Sequence, residues 1–448
     1  MKPHIFREYD IRGIVRHDFG EQDVHCLGLA AGTYYQSKGA CRITLGRDCR
    51  LSSPEILGWL RKGLIESGMK VVDLGMVPTP LLYFSVRQLN ADGGIQITGS
   101  HNPPEFNGFK ICLGDLSVHG EEIQEIRRIA ESGKFRRGPG LMEKADVEAP
   151  YLRYVLDSIR PGPVKRRVVV DGGNGMGGPI ACRIYRQMGV DVHPLFCEPD
   201  GAFPNHHPDP TIPENLKSLI AEVKAVSADA GIAFDGDADR IGVVGPDGRI
   251  LWGDQLLILF SRDLLLRHPG CKIIGEVKCS QVLFDDIEAH GGKAIMWKAG
   301  HSLIKSKMKE EGALLAGEMS GHMFFAERYF GYDDAIYAGA RLLEILSRTQ
   351  AGLDDFLADV PQTVNTPEIR MDCPEERKFD VVSRLVEEFK REYEVIDVDG
   401  ARVLFDGGWG LIRASNTQPV LVLRFEAVDE KRLEAIRKVF MDKLGEVL

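Results

Sequence analysis

The segment Ile95-Gln96-Ile97-Thr98-Gly99-Ser100-His101-Asn102-Pro103-Pro104 contains the pattern from which the fold of this chain can be predicted. An apolar run ends at Ile97 and changes abruptly into glycine, serine, asparagine and two prolines. Such a change is typical of a buried strand that ends in a loop, and open α/β sheets bind their ligands at such strand ends. We therefore expect Ser100 on an exposed loop, as a nucleophile or phosphate carrier, with Lys110 downstream. The alternative is an ordinary turn, because serine and asparagine suit turns.

The same order of elements recurs three times along the chain. Each copy has an apolar strand, a polar loop, a helix closed by glycine, a second strand, and a later strand that ends in a polar loop. The first strands begin near residues 42, 167 and 272, and the later strands end at Ser100, Asp235 and Glu318. Among the other strands of these repeats, the sequence predicts strands at residues 230–234, 293–297 and 313–316. Helical segments between short apolar runs imply crossover units whose helices cover a sheet. A chance α/β pattern is the alternative, and the matched positions of the polar loops count against it.

The repeat predicts four domains. Three similar α/β domains are expected at residues 1–147, 148–249 and 250–361. From residue 362 to residue 448 the order changes to a helix, three closely spaced apolar strands and a last helix. That order favours antiparallel pairing and a smaller α+β domain.

The composition excludes several classes of protein. The chain has 448 residues, of which 44% are hydrophobic, and this is enough for several cores. Its 66 acidic and 56 basic residues give a formal net charge of −10, and the absence of a long basic run argues against a nucleic-acid partner. We predict no membrane segment and no signal peptide, because no apolar run has the required length. Nine cysteines without a Cys-x-x-Cys pair suggest reduced thiols and a cytoplasmic protein.

The second repeat ends in a candidate metal site. Asp235, Asp237 and Asp239 alternate with small residues and precede Arg240. Three carboxylates so placed can turn toward one hard cation, and oxygen ligands with space for a phosphate suit magnesium. A solvated acidic turn is the alternative interpretation.

Two further loops are candidates for binding sugar and phosphate. The loop at residues 317–322 contains Glu318 and Ser320, whose oxygens suit vicinal sugar hydroxyls. The loop at residues 413–419 combines an arginine with hydroxyls and an amide, a combination that suits a phosphate. On local evidence each loop is equally compatible with an ordinary polar turn. Arg12, Lys278 and His301 are weaker candidates, because most such residues lie on the surface.

Together these stretches resemble the α-D-phosphohexomutase family, and among its members the bacterial phosphomannomutase/phosphoglucomutase type. The matching stretches are residues 98–110, 235–240, 317–322 and 413–417, with residues 9–13 in support, and they follow the family's order. The resemblance implies a heart-shaped enzyme of four domains with mixed sheets in the first three, and one loop from each domain in a central cleft. Cys49 departs from the family's usual small residue, and Met319 counts against an amino-sugar substrate.

The resemblance also implies roles for individual residues. Ser100 is similar to the family's phosphoserine, and its phosphate would join Asp235, Asp237 and Asp239 as a magnesium ligand. Lys110 and His301 are alternative general acid/base residues, and Arg12 and Arg240 would balance phosphate charge. The implied substrate-binding residues are Tyr9, Lys278, Glu318, Ser320, His322, Arg413, Ser415, Asn416 and Thr417.

The implied reaction is reversible transfer of phosphate between C1 and C6 of mannose and glucose phosphates through a hexose 1,6-bisphosphate. The fourth domain is then expected to close over the cleft as a lid. We expect hexose phosphates and Mg²⁺ as ligands, no nucleic acid or membrane partner, and a monomer or weak homo-oligomer. Three alternatives remain open: a phosphoglucosamine mutase, a magnesium phosphatase that uses a nucleophilic aspartate, and a non-catalytic sugar-phosphate binding protein.

Overall fold

The computed structural model describes residues 1–416 and 418–447. Its strands are β1 (Ile11–Ile14), β2 (Arg42–Arg47), β3 (Lys70–Met76), β4 (Gly93–Ile97), β5 (Phe106–Leu113), β6 (Leu116–Ser117), β7 (Leu141–Lys144), β8 (Arg167–Asp171), β9 (Asp191–Leu195), β10 (Ala230–Phe234), β11 (Ile241–Val244), β12 (Ile250–Leu251), β13 (Lys272–Glu276), β14 (Lys293–Trp297), β15 (Leu315–Gly317), β16 (Met323–Phe325), β17 (Val364–Asn365), β18 (Ile369–Asp372), β19 (Glu394–Ile396), β20 (Ala401–Phe405), β21 (Gly408–Ala414) and β22 (Val420–Ala427). Its α-helices are α1 (Glu21–Ser37), α2 (Ser53–Glu66), α3 (Thr79–Gln88), α4 (Glu121–Ser132), α5 (Glu148–Ser158), α6 (Gly177–Gln187), α7 (Lys217–Ala225), α8 (Gly253–Leu265), α9 (Gln281–Ala289), α10 (His301–Glu311), α11 (Ala335–Ser347), α12 (Lys378–Lys390) and α13 (Glu430–Val447).

The first three sheets share one topology, which confirms the predicted repeat. In each sheet the first strand of the repeat lies between the second and the third, and all three run parallel: β4-β2-β3, β10-β8-β9 and β15-β13-β14. An antiparallel strand then pairs with the third, namely β5, β11 and β16. The sheets are therefore mixed, and the loop between the third strand and its antiparallel neighbour is the loop that carries Ser100, Asp235 or Glu318.

Most predicted elements are confirmed, with small shifts at their ends. The strands Ala230–Phe234 and Lys293–Trp297 have the predicted bounds. In the third repeat the last strand begins at Leu315, whereas the sequence predicted residue 313. The reason is the end of helix α10, where Gly312 has a left-handed φ of 66° and the backbone of Ala313 bonds back to Met308.

The fourth sheet is antiparallel and is covered by two helices. Strands β19, β20, β21 and β22 pair in sequence order, and β17 and β18 both pair with β22. Helices α12 and α13 bury Phe389 and Phe440 against this sheet. The predicted antiparallel α+β unit is therefore confirmed.

The apolar core is continuous between the first three sheets. One cluster of buried side chains joins helices α3, α5, α6, α8 and α11. The second sheet continues to Leu251 in β12, beyond residue 249. Among residues 1–416 and 418–447, no helix combines the length and apolar character needed to cross a membrane.

The fourth sheet is attached to the third through a buried arginine. The Arg402 guanidinium lies 3.7 Å from the ring centre of Trp409 and donates to the carbonyls of Val277 and Cys279 at 2.6 and 2.7 Å. Val277, Trp409 and Leu411 form a small apolar core at this contact. These contacts hold the loop of the fourth sheet beside the loops of the other three.

Candidate active site

Ser100 lies at the meeting point of the first and second sheets. Its Oγ donates to Asp235 Oδ2 at 2.8 Å and is 3.1 Å from His101 Nδ1. The side chain is only 2% exposed, so the prediction of an exposed loop was wrong. The reason is tertiary: the loop after β10 covers the serine, and a Cβ at Gly236 would lie 2.4 Å from the Ser100 carbonyl oxygen. Ser100 also has a left-handed φ of 49°, which is unfavourable for a residue with a side chain.

The three predicted aspartates form one buried cluster. Asp235, Asp237 and Asp239 are fully buried, and one ligand oxygen from each lies within 4.8 Å of the others. The turn after β10 sets this arrangement, since the backbone N–H groups of Asp239 and Arg240 donate to Asp235 Oδ1 at 3.1 and 3.2 Å.

The chemistry of this cluster fits a divalent cation. Among the described residues, Asp237 Oδ1 and Asp239 Oδ1 are buried without a hydrogen-bond partner. Burial, together with the charges of Asp237 and Asp239, raises the pKa of the Asp235 carboxyl well above its usual range. Carboxylates that share a buried site need a cation to be ionised together, and all-oxygen donors suit magnesium.

Lys110 supplies a positive charge to the same cluster. It projects from β5, opposite Gln96, and its Nζ donates to Asp237 Oδ2 at 2.7 Å and to Asp239 Oδ2. Burial alone would lower the pKa of the Lys110 ammonium, but the two carboxylates outweigh it and raise that pKa. Lys110 is therefore held as a cation.

The two predicted arginines, Arg12 and Arg240, both lie near His101, the neighbour of Ser100. Arg12 belongs to β1, where it pairs with Gly108, and its guanidinium bonds to Asp10 and to the Asn102 side chain. Arg240 donates from Nε to His322 Nε2 at 2.9 Å, and its backbone forms a bridge with the same residue. Arg240 thereby connects the loop after β10 to the loop after β15.

His301 and His322 stack face to face with ring centres 5.5 Å apart. Their Nδ1 atoms lie 3.4 and 3.2 Å from Asp333 Oδ2. Lys305 Nζ bonds to the other oxygen of Asp333 at 2.9 Å. Burial and then the charge of Lys305 hold the pKa of His301 well below its usual value, so its ring is neutral at physiological pH. Sequence analysis missed Asp333 and Lys305, and an acidic pair before a helix was the available signal.

The loop at residues 317–322, the candidate sugar loop, packs closely on the start of helix α10. Glu318 Oε1 accepts a hydrogen bond from the backbone of Gly300 at 2.7 Å. Ser320 follows in the same turn and is half-buried. Gly300 has a φ of 131°, and a Cβ there would lie 2.5 Å from the ring of Tyr9, so only glycine fits.

The loop of the fourth sheet reaches the same cleft. The Tyr9 hydroxyl donates to the Ala299 carbonyl at 2.8 Å and accepts a bond from the Asn416 amide. Ser415 Oγ accepts from the backbone of Gln418 at 3.1 Å, and Thr417 lies outside the described residues.

The two remaining predicted cations of the cleft are held by carboxylates. Arg413 Nε donates to Asp399 Oδ2 at 2.9 Å. Lys278 Nζ lies 3.3 Å from Glu368 and 3.7 Å from Glu276. Contacts between these residues thus join the candidate loops of all four sheets.

The loops combine a buried serine, an acidic cluster and cationic side chains, which together define a class of metal-assisted phosphoryl-transfer enzyme. Four family models match the chain, for phosphoglucomutase/phosphomannomutase alpha/beta/alpha domains I, II and III at residues 3–137, 149–248 and 252–364, and for the C-terminal domain at residues 368–443.

Curated relatives resemble the chain over nearly its whole length. A protein named phosphomannomutase/phosphoglucomutase from Pseudomonas aeruginosa is 48% identical over 445 residues, which cover 99% of this chain and 96% of that protein. A phosphoglucomutase from Neisseria gonorrhoeae is 47% identical over 443 residues, covering 97% and 95%. A crystal structure of a phosphoglucomutase/phosphomannomutase family protein from Burkholderia thailandensis has a TM-score of 0.93 and 41% identity, covering 100% of this chain and 98% of the other. The chain belongs to the phosphoglucomutase/phosphomannomutase family of enzymes.

Proposed function

We propose that this enzyme interconverts the 1-phosphates and 6-phosphates of mannose and glucose. The observation that carries the proposal is the contact of Ser100 Oγ with Asp235, within a cluster of three buried aspartates that fits a cation. A serine hydroxyl at a cation-binding cluster suits a phosphate carrier better than an ordinary turn. Two relatives of about the same identity carry the names phosphomannomutase/phosphoglucomutase and phosphoglucomutase, which supports these two sugars.

The proposed cycle has two phosphoryl transfers. In the first, the P–O bond of phosphorylated Ser100 breaks and a new bond forms to the free hydroxyl oxygen of a hexose monophosphate, giving a hexose 1,6-bisphosphate. The bisphosphate reorients, and the serine oxygen attacks its other phosphate. The bond from that phosphorus to the sugar oxygen breaks, and the base that took the hydroxyl proton returns it to this oxygen, which gives the isomeric monophosphate. Positioning and charge stabilisation carry most of the rate enhancement in such transfers. Added hexose 1,6-bisphosphate would restore any enzyme that has lost the phosphate on Ser100.

Asp235, Asp237 and Asp239 would hold Mg²⁺, with a phosphate oxygen on Ser100 as a further ligand. Bound there, Mg²⁺ supplies charge neutralisation for the transferring phosphoryl group. Arg12 and Arg240 add positive charge near Ser100.

We assign proton transfer to His301. Asp237 and Asp239 raise the pKa of Lys110 and keep its Nζ protonated, so this ammonium has no free electron pair with which to take a proton. His301 faces Asp333 with Nδ1, and this leaves Nε2 as the atom that can take the proton of the sugar hydroxyl. Asp333 and Lys305 would fix the orientation of this ring.

Substrate recognition is assigned to the loops of the third and fourth sheets. Glu318 and Ser320 would bind sugar hydroxyls, helped by His322. The distal phosphate would be bound by Lys278, Tyr9 and the loop with Arg413, Ser415, Asn416 and Thr417. The proposal includes domains at 1–147, 148–249, 250–361 and 362–448, a closing fourth domain, and a cytoplasmic monomer or weak homo-oligomer.

Isomerisation assays test the proposal. Glucose 1-phosphate, mannose 1-phosphate and glucosamine 1-phosphate are each supplied with Mg²⁺ and a trace of hexose 1,6-bisphosphate, with Ser100→Ala as the control. Comparable turnover of the first two, lost in the control, is the expected result. A preference for glucosamine 1-phosphate would replace the substrate assignment. Free phosphate without isomerisation would indicate a phosphatase, and ligand binding without any turnover would indicate a binding protein.

A further inference from the structure

One buried arginine, Arg50, holds the backbone of the loop that carries Ser100. Arg50 is 0% exposed and lies in the polar loop after β2, the loop to which the proposed reaction assigns no role. Its guanidinium donates to four backbone carbonyl oxygens of the serine loop: Ser100 at 2.8 Å, Asn102 at 2.6 Å, Pro103 at 2.6 Å and Phe106 at 3.0 Å. The first three of these carbonyls lie in the loop between β4 and β5, and the Phe106 carbonyl lies at the start of β5. One side chain therefore supplies a hydrogen-bond partner to several backbone carbonyls of this loop at once.

Asp48 completes this arrangement from the same loop. Its Oδ2 lies 3.2 Å from Arg50 Nε and accepts the backbone N–H of Gly99 at 3.2 Å. The guanidinium packs directly on the backbone there, since a Cβ at Gly99 would lie 2.5 Å from Arg50 Cζ. The residue immediately before Ser100 is thus bound by both members of the ion pair.

Residues of the second repeat pack against the Arg50 guanidinium and its loop. The Phe203 ring centre lies 5.2 Å from Arg50 Cζ, and a Cβ at Gly201 would lie 2.3 Å from the Cys49 carbonyl oxygen. Arg50 is consequently fixed against the same unit that carries the aspartate cluster. A shift of its guanidinium would move Ser100 relative to Asp235.

We propose that Arg50 is a positioning residue for phosphoryl transfer, which holds Ser100 in its left-handed conformation and at its distance from the aspartate cluster. The inference rests on the proposed function, because it concerns the phosphate carrier of that reaction. Arg50 touches no reacting atom; it acts through the carbonyl of Ser100 and its neighbours. Lysine at this position keeps the charge but cannot form the planar fork that reaches four carbonyls at once.

A second arginine of the chain provides a matched control. Arg166 is 7% exposed, pairs with Asp229 at 2.8 Å, and donates to the carbonyls of Leu346, Thr349 and Ala351. Arg166 therefore makes the same kinds of contact as Arg50. It lies where strands β8 and β10 begin, at the opposite end of the sheet from Asp235, and it bonds to the end of helix α11. Arg166→Lys measures the cost of losing a buried arginine fork without moving Ser100.

The test compares Arg50→Lys and Arg166→Lys with the wild type. Three quantities are measured: the single-turnover rate constant for transfer from phosphorylated Ser100 to glucose 1-phosphate, the KM for glucose 1-phosphate, and the melting temperature. We expect both variants to melt at lower temperature. Only Arg50→Lys should lose transfer rate, by about 100-fold for a displacement near 1 Å, with KM within about threefold of wild type. The phosphate on Ser100 should then pass more often to water, seen as a larger share of free phosphate.

Several outcomes would overturn the inference. Transfer by Arg50→Lys within about threefold of wild type would do so, as would an equal loss in Arg166→Lys. If Arg50→Lys does not fold, Asp48→Asn is the second variant: it keeps the arginine but removes the charge that orients the guanidinium and weakens the acceptor of the Gly99 N–H. Because the guanidinium is then no longer fixed on the carbonyls, this variant must lower the same rate constant by about tenfold. An unchanged rate in Asp48→Asn would also overturn the inference. Wild-type turnover in the same assay tests the proposed function separately, because that turnover does not depend on the role of Arg50.

Discussion

Tyr9→Phe should weaken the contact of the fourth sheet with the first and third sheets without weakening the individual domains. The Tyr9 hydroxyl joins three parts of the chain, because it donates to Ala299 beside the third sheet and accepts from Asn416 of the fourth. Phenylalanine keeps the ring, which packs on Gly300 and lies 6.1 Å from the centre of the His301 ring. In the substrate-free enzyme only these two hydrogen bonds are lost. Loss of the proposed contact between the Tyr9 hydroxyl and the distal phosphate would raise KM without changing the radius of gyration, so the radius separates the two effects.

The expected magnitude follows from those two bonds. A neutral hydrogen bond contributes about 1 kcal/mol net, so the closed arrangement loses about 2 kcal/mol relative to the open one. This corresponds to about a 30-fold change in the equilibrium between closed and open states. Because the apparent affinity falls with the fraction of competent enzyme, KM for glucose 1-phosphate should rise by up to about that factor.

Steady-state kinetics and small-angle scattering check this expectation. Tyr9→Phe should raise KM and increase the radius of gyration of the substrate-free enzyme. Tyr35→Phe is the matched control, because its hydroxyl donates to the carbonyls of Gly94 and Cys112 within the first sheet only. It should lower the melting temperature by a few degrees and leave KM unchanged. An unchanged KM and radius in Tyr9→Phe would refute the role given to these two bonds.

Three further predictions concern the sugar loop, the cation site and pH. Glu318→Gln keeps the acceptor for the Gly300 N–H but loses the carboxylate charge, so the KM for the sugar phosphate should rise while Ser100 is still phosphorylated. If peptide mass spectrometry found no phosphoserine in this variant, the role given to Glu318 would be contradicted. Mg²⁺ at about 100 times its dissociation constant should stabilise the wild type by about 2.7 kcal/mol and raise its melting temperature. Asp239→Asn should abolish this rise, and an equal rise in the variant would count against the cation site. Burial raises the pKa of Asp334 to about 6. The unfolded carboxyl has a pKa near 3.9, so between about pH 4 and pH 6 the folded state holds a proton that the unfolded state releases. The neutral Asp334 carboxyl therefore stabilises the fold at low pH, and this stabilisation is lost as the pH rises through about 6. As the pH falls from 7 to 4, the unfolding free energy of the wild type should increase by up to about 3 kcal/mol relative to that of Asp334→Asn. If the difference in unfolding free energy between the two proteins did not change with pH, the raised pKa would be contradicted.

The sequence predicted the repeat because its signals are local. An apolar run that breaks into glycine and polar residues indicates where a strand ends, as at Phe234 before Asp235. Parallel strands joined by helices then bring such ends to one edge of each sheet. The element ends were less predictable, since the start of β15 depends on how helix α10 terminates at Gly312.

Parts of the site depend on contacts between distant segments and have no local signal. Ser100 was expected on the surface, yet the loop of another sheet buries it. The pair Asp333-Asp334 suggests only the start of a helix, and Asp334 does cap α11 through Tyr337, whereas Asp333 turns to the two histidines. Arg50 likewise becomes interpretable only when the carbonyls it binds are known.

Transfer of phosphate from Ser100 to the sugar is the central claim, and a labelling experiment tests it most directly. The enzyme is labelled with hexose 1,6-bisphosphate carrying ³²P, separated from free sugar, and mixed with unlabelled glucose 1-phosphate in one turnover. The account predicts that the label leaves Ser100 at least as fast as isomerisation occurs and passes through hexose 1,6-bisphosphate into glucose 6-phosphate. Label that stays on Ser100 during isomerisation, or that is recovered as inorganic phosphate, would contradict the account.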